Sequence, residues 1–389
     1  MDDRRAVRDG SGPAIERGPG FVRVRAMAAA RRVLQARSST AQAGFTAEYI
    51  PQGPLKNRPI LISDGPQHDE QRRKLGRFFA PAVVERRYTG PIDEAAARYV
   101  AGVVAAGECL VDELALHFAV DVTRDIVGLT ASDVPGLSRR LEAFFNQPPF
   151  DLTKPGLGRT RRQWAQAAAR GLGPIIAFHL RDVRPAIRQR RRGRRDDVIS
   201  HLLDEGYSAA EILVECLTYG TAGMVTTREF MAMALWHLLG NLSLATRFRG
   251  ADRPGRIRIL EEIIRLDPVV GNLYRRATAS VQLDDDEQAG AGDLIDVCVR
   301  EANHDAEAVG PEPHRLDPDR CPVKGVRPVG LSFGDGAHAC PGQSLALLEA
   351  DALLIRLLEA GARIVDEPTL TWDDLVAGYR LRGFRIAFS

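Results

Sequence analysis

A mainly α-helical fold with small β-sheets is the class this 389-residue sequence predicts, and three observations predict it. Apolar residues recur at intervals of three and four over most of the chain. Strand-like pieces are short and cluster after Pro268. No Ser/Gly linker, low-complexity tract or internal repeat divides the chain. Length alone would suit two or three domains at roughly 100–200 residues each. The continuous pattern instead predicts one large domain over residues 1–389, with a charged, Gly- and Pro-containing segment at 1–20 that need not be ordered.

The periodicity predicts helices over 95–104, 114–127, 160–183 and 198–203. Between the last two, Arg188-Gln189-Arg190-Arg191-Arg192-Gly193-Arg194-Arg195 runs into Asp196-Asp197 and reads as a solvated loop. A nucleic-acid footprint needs a broader basic stripe and aromatics to stack. The longest helix is expected over 208–239, about 45 Å at ~1.5 Å per residue. Ser208 and Glu211 form a capping box at its start, and Gly240 is a stop. Residues 216–227 carry no charge, so this helix is buried on most sides. Gly220, Ala222 and Gly223 within it fit either a flat or bulky group pressed on the backbone or close helix packing. Further helices are expected over 257–266 and 342–360. Strands are expected at 281–283 and in the tail 370–388, where Gly378 and Gly383 punctuate a hairpin.

Composition narrows the function classes. Hydrophobic residues at 44% and charged residues at 27% exclude collagen-like and disordered chains. Cys109, Cys216, Cys298, Cys321 and Cys340 include no CxxC pair, which predicts free thiols in a reducing compartment. The first twenty residues lack an apolar signal core, and no apolar run approaches the ~20 residues that span a bilayer. A cytoplasmic protein without a membrane anchor is expected. Net charge is +2, and of 53 basic residues only four are lysines. The arginine excess is dispersed and predicts no nucleic-acid partner.

Chemistry concentrates in Phe333-Gly334-Asp335-Gly336-Ala337-His338-Ala339-Cys340-Pro341-Gly342, which leads directly into a helix. Two glycines let the loop fold tightly, and amides at the helix start favour a thiolate on Cys340. Such a thiolate can be an axial iron ligand, shielded by Phe333 and tuned by backbone donors. A zinc site built from His338 and Cys321 lacks the close ligand pairs that structural zinc uses.

The pattern Phe333-x-x-Gly336-x-His338-x-Cys340-x-Gly342 resembles the heme-binding loop of the cytochrome P450 family. Other segments match in chain order. Glu262-Ile263-Ile264-Arg265 is similar to the family's ExxR element, and Leu316-Asp317-Pro318-Asp319-Arg320 resembles its meander. By resemblance Glu262 and Arg265 form a bidentate pair with Arg320 as third partner. His68 and Arg72 match an HxxxR pattern that faces the heme propionates, and Arg275, in preference to Arg276, supplies a second propionate cation. Phe333, Gly334, His338, Gly342 and Ala222 complete the implied cofactor contacts, with Cys340 on the iron. The implied fold is one large heme-thiolate monooxygenase domain crossed by the long helix.

Ala222-Gly223-Met224-Val225-Thr226 is similar to the family's Ala/Gly-Gly-x-acid-Thr segment, with one departure. Thr226 supplies the alcohol, and Gly223 would let the helix bulge over the heme, but Val225 stands where an acid helps deliver protons. General acid–base catalysis typically contributes 10²–10⁴-fold. Three outcomes remain open: hydroxylation with an unusual proton path, oxidative C–C or C–N coupling of aromatic or cyclic-dipeptide-like substrates, or a non-catalytic heme-binding or sensor protein. The resemblance implies heme b, dioxygen, a small organic substrate of bacterial specialised metabolism, and electrons from NAD(P)H through a reductase and a ferredoxin. Arg73, Lys74 and Arg77 offer the ferredoxin a basic surface. By family position the substrate side is lined by residues 45–60, Tyr219, Asn272, Leu273 and Leu381. Asn272 suits a substrate hydrogen bond or a structural partner equally.

Overall fold

Ser208 starts the longest helix as its capping box requires. The Glu211 N–H donates to the Ser208 hydroxyl at 3.3 Å, and the Ser208 N–H donates to the Glu211 carboxylate at 2.7 Å. These bonds satisfy donors that a helix start otherwise leaves orphaned. Thr160 and Gln163 make the same reciprocal pair forty-eight residues earlier. The computed structural model describes residues 5–6, 12–44, 55–374 and 377–388.

In chain order the helices are α1 (Met27–Gln35), α2 (Gly65–Phe79), α3 (Pro81–Ala106), α4 (Val111–Val127), α5 (Val134–Phe145), α6 (Arg161–Phe178), α7 (Arg184–Arg192), α8 (Val198–Asp204), α9 (Ala209–Gly220), α10 (Thr226–Leu239), α11 (Leu242–Gly250), α12 (Arg253–Leu266), α13 (Val299–Ala302), α14 (Ala306–Val309) and α15 (Gln343–Glu359). A π-helical turn, Thr221–Val225, joins α9 to α10, so the predicted long helix is continuous but locally widened. It packs against α4, α12 and α15, with Met231, Ala232, Ala234 and Leu235 fully buried. α15 in turn lies along α3. This helical core carries most of the apolar burial, and a smaller cluster lies between α1 and the main sheet.

That sheet corrects the expectation that strands cluster after Pro268. Its order is β1 (Ile15–Gly18), β2 (Phe21–Val24), β8 (Leu294–Cys298), β5 (Asn272–Ala277) and β3 (Thr40–Ala43). Three of the five strands come from the first 43 residues. They are four residues each, too short for alternation to show, and β2 is completed by parallel pairing with β8. β6 (Val281–Gln282) pairs with β7 (Gln288–Ala289). In the tail, β10 (Thr369–Asp373) and β11 (Gly378–Arg382) form the expected hairpin. β12 (Arg385–Ala387) leaves it after Gly383, whose φ is +72°, to pair with β4 (Glu108–Leu110) and β9 (Arg363–Asp366).

The arginine run is a second correction. Arg188 to Arg192 belong to α7, and Arg190 is buried there with Ala186 and Ile187. Its guanidinium pairs with Asp197 and donates to Thr130 Oγ1 at 2.9 Å. Helical phase turns one arginine inward, where the aspartate removes the cost of burying its charge.

Candidate functional site

The cysteine loop is built on glycine backbones and fastened by ionic side chains. Gly334 and Gly336 have φ of +68° and +67°. A β-carbon on Gly336 would fall 2.3 Å from the Leu34 carbonyl oxygen, so α1 and the loop touch backbone to backbone. Asp335 accepts the Gly336 N–H at 2.7 Å and the Arg31 Nε–H at 3.0 Å, holding the loop to α1. Arg327 donates to the Gly334 carbonyl and to Gln343 at 3.1 Å. Gly336→Ala is expected to lower unfolding free energy by at least about 2 kcal/mol, because a left-handed backbone alone costs a β-carbon about 1–2 kcal/mol. An unchanged urea midpoint would show that α1 yields freely.

Cys340 donates its N–H to the Phe333 carbonyl at 2.7 Å, which closes the loop backbone on itself. The residue is accessible although protein surrounds it densely, as expected of a side chain on the wall of an internal cleft. That enclosure pushes the thiol pKa up. It is opposed by N–H groups of Gly342 and Gln343 and by the charges of Arg72 and Arg327. The sulfur therefore has a ready set of donors and cations for an anionic, metal-bound form.

On the long helix, Ala222 is exposed although Met224, Val225 and Thr227 near it are buried. Thr226 is half-buried and donates its hydroxyl to the Ala222 carbonyl. Gly220 serves close packing, whereas a side chain at Gly223 would make an ordinary contact. A β-carbon on Gly220 would meet Leu141 at 2.9 Å, and one on Gly223 would meet Thr123 of α4 at 3.4 Å. Gly223 sits at the centre of the π-helical turn, so the helix is widened where the sequence placed the bulge, and the bare side of the glycine faces α4.

Around the loop stand the predicted polar residues. Arg72 donates to the Ala339 carbonyl at 2.7 Å, beside Cys340. The His68 ring lies 4.1 Å from the His338 ring, and His338 Nε2 is 3.0 Å from Asp64 Oδ1. Burial, helped by the charges of His338 and Arg72, pulls the His68 pKa down to about 4, so at neutral pH it is an uncharged hydrogen-bonding ring and not a cation. Arg275 is 3% exposed. It donates to the Tyr274 carbonyl at 2.8 Å, and among the described residues no carboxylate ion-pairs with it. Burial lowers its pKa to about 10, with Asp64 acting the other way. Arg276 turns to the Gly292 carbonyl instead.

Behind the loop, Arg265 is fully buried and grips Glu262 through two bonds of 2.7 and 2.8 Å. It also donates to the carbonyls of Asn303 and Pro313. Arg320 completes the trio at 3.2 Å from Glu262 and ties down four carbonyls between 309 and 315. Asn303 was not singled out from sequence. Its amide joins the Arg265 carbonyl, Ser332 and the Leu331 N–H, linking α12 to the strand of chain that enters the cysteine loop. No local pattern marks it, and the same holds for Asp64.

Residues 258–360, which include the Glu262–Arg265 pair and Cys340, match the family model described as Cytochrome P450. The chain is 27% identical to the erythromycin C-12 hydroxylase of Saccharopolyspora erythraea, over 82% of this chain and 77% of that protein. It is 28% identical to the cyclomarin C epoxidase CymV of Salinispora arenicola, over 85% and 80%. Its fold matches that of CYP109E1 from Bacillus megaterium in complex with testosterone, with a TM-score of 0.80, 20% identity and coverage of 97% and 94%. Together the family-model match, these relatives and the shared fold support a bacterial member of the cytochrome P450 family. As a P450 it is an oxidoreductase of the heme-dependent kind. The family implies heme and a redox partner that supplies electrons. The residues fit that group: an accessible thiol beside Arg72, and in Arg275 a buried cation that forms no ion pair among the described residues.

The substrate-side expectations of this P450 fare differently. Residues 45–54 lie outside the described residues. Leu273 lies near Gly334, about where a β-carbon on that glycine would meet it at 3.8 Å. Asn272 takes its structural alternative, donating to Asp296 at 2.7 Å. Leu381 is a correction: it is fully buried, because its backbone N–H is drawn to Glu229 of α10 at 2.9 Å. Tyr219 is another. It stacks on Phe79 and lines a cavity with Gln71, Lys74 and Glu215, separate from the one beside Thr226. Of the docking cations, Lys74 pairs with Glu70 and Glu205 and Arg77 with Asp196, while Arg73 is exposed. Among the described residues no helix is long and apolar enough to cross a membrane.

Proposed function

We propose that residues 1–389 form one domain in which Cys340 ligates the iron of heme b, and that the holoenzyme inserts oxygen into a small organic molecule of bacterial specialised metabolism. The accessible thiol of Cys340, set inside the fold between Arg72 and the α15 start, is the observation that carries this reading. The bound heme supplies reductive activation of dioxygen, with electrons drawn from NAD(P)H through a reductase and a ferredoxin in the cytoplasm. The chain's own groups do the rest. Amides of Gly342 and Gln343 steady the sulfur and Phe333 shields it. Arg72 and Arg275 balance the propionates, while neutral His68, its ring tilted against that of His338, serves as a hydrogen-bonding neighbour. Gly334 lets the loop approach closely, and Ala222 keeps the helix backbone near the cofactor. Thr226 holds a proton on Oγ1 at the cleft. Arg73 leads the ferredoxin-facing surface, with Lys74 and Arg77 contributing beside their acidic partners.

The titre of heme in an Arg275 variant reads part of this directly. Arg275→Met is expected to stabilise the cofactor-free protein by about 1 kcal/mol or more, since it removes a buried charge that ion-pairs with no carboxylate among the described residues. Heme retained per protein should fall at the same time. A variant that loses stability and keeps its heme would take Arg275 away from the propionates. The reaction itself is tested by mass spectrometry of products formed under isotope-labelled dioxygen. One labelled oxygen per product supports insertion, an unlabelled dimer or adduct replaces insertion by coupling, and absence of product with every electron donor leaves a heme-binding protein.

A further inference from the structure

A small cleft, with room for about one water and open toward solvent, lies beside Thr226, lined by Val225, Glu142, Phe145, Arg228 and Glu229. Its ionic side chains form one group. Arg228 is 3% exposed and donates to Glu229 at 2.8 and 3.0 Å and to the Glu142 carboxylate on α5. Glu229 is fully committed: it also accepts the Leu381 N–H at 2.9 Å and Arg382 at 2.8 Å. Glu142 has Arg228 as its ion-pair partner, and its side chain is 40% exposed. It thus touches both solvent and the cleft. Residues 225, 228 and 229 share one helical face. An acid at position 225 would project into this same group, and Val225, packed on Phe145, does not. The other ion pair on the cleft wall, Asp373 with Arg380 at 3.5 Å, comes from the tail hairpin.

We propose that Glu142, held over the cleft by Arg228, is the proton-relay carboxylate of this P450, taking the place of the absent acid at position 225. The proposal rests on the reading of Cys340 given above. Insertion consumes one dioxygen, two electrons from the ferredoxin-class donor and two protons; one oxygen enters a C–H bond and the other leaves as water. The Thr226 hydroxyl, now donated to the Ala222 carbonyl, turns to release its proton into the cleft. The Glu142 carboxylate takes up a proton from solvent on its exposed side and passes it through water in the cleft to Thr226, returning to its ionised pair with Arg228. Arg228 is a positioning residue, and Glu229 with Arg382 fixes Arg228.

The test uses the heme-loaded protein with Glu142→Gln, which keeps shape and one acceptor for Arg228 but cannot take up and release a proton. Product formed per electron consumed should fall about tenfold, below the 10²–10⁴-fold span of general acid–base effects because water partly substitutes. Peroxide should rise in proportion. The C–O stretching band of the reduced, carbon monoxide-bound protein should shift, reporting the lost carboxylate without turnover. Val225→Asp added to Glu142→Gln should restore coupling, which a merely structural role for Glu142 would not allow. Unchanged coupling and an unmoved band in Glu142→Gln overturn the proposal, as does failure of Val225→Asp to restore coupling at an unaltered melting temperature. A wild-type protein whose carbon monoxide complex lacks the thiolate-type red-shifted band would instead sink the reading of Cys340, and the relay with it.

Discussion

Cys340→Ser should abolish the red-shifted absorption band of the reduced, carbon monoxide-bound protein and bring product formation below detection. The serine hydroxyl would occupy the same place, on a loop backbone closed by the N–H···O bond from residue 340 to Phe333. It would still face the Gly342 and Gln343 amides and the charges of Arg72 and Arg327. What changes is the donor atom. A thiolate is soft and electron-rich, and an alkoxide is neither formed at neutral pH nor suited to hold the iron in the same electronic state. Removing an outer-shell partner of a metal typically costs about 10–100-fold, so loss of the ligand itself should exceed that range. The cofactor-free protein should be little affected, because the free thiol already sits where burial disfavours its charged form. A Cys340→Ser or Cys340→Ala protein that kept the band would remove Cys340 from the iron.

Arg265→Ala is expected to have the largest effect on stability. Its guanidinium is fully buried, holds Glu262 through two bonds, and caps the carbonyls of Asn303 and Pro313. Removing it strands the Glu262 carboxylate in the core with Arg320 and the Asp317 N–H as its remaining donors among the described residues. Breaking a buried pair from one side costs about 3–5 kcal/mol, a large part of the ~5–15 kcal/mol by which a folded protein exceeds its unfolded state. Little folded protein should accumulate, and what does should melt early in urea. Arg265→Lys should fall between, since an ammonium keeps charge but loses the planar two-pronged grip. The damage should spread to heme retention, because Arg265, Asn303 and Ser332 form a continuous chain of bonds from α12 to the approach of the cysteine loop. An Arg265→Ala protein that melted within about 1 kcal/mol of wild type would show that the trio is incidental to the fold.

The legible parts of the site were those written in contiguous residues. Gly334 and Gly336 announce left-handed backbone, and both have it. Ser208 and Glu211 announce a helix start, and both hydrogen bonds form. Arg320 was reachable only through resemblance, since 58 residues separate it from Glu262. Glu142 and Arg228, 86 residues apart, and Asn303 with Arg265, 38 apart, carry no mark in the sequence. A lone glutamate on a helix reads as solvated surface until a second helix is laid across it. The N-terminal strands were missed for the same cause: four-residue pieces acquire identity from β8 and β5, more than 200 residues away.

By itself the sequence determined the helical class, the course of the long helix and the position of the iron-ligating candidate, because periodicity, capping and glycine conformation act within a few residues and need no partner. It also determined that position 225 bears no acid. Only the tertiary structure decided what surrounds that gap. It turned Gly223 toward α4, buried Leu381 and Tyr219 away from Thr226, held His68 neutral by enclosure, and brought α5 against the π-helical turn so that the Glu142 carboxylate and the Arg228 guanidinium meet beside Thr226. Burial and charge pairing are properties of neighbours in space, and the chain acquires those neighbours only when it folds.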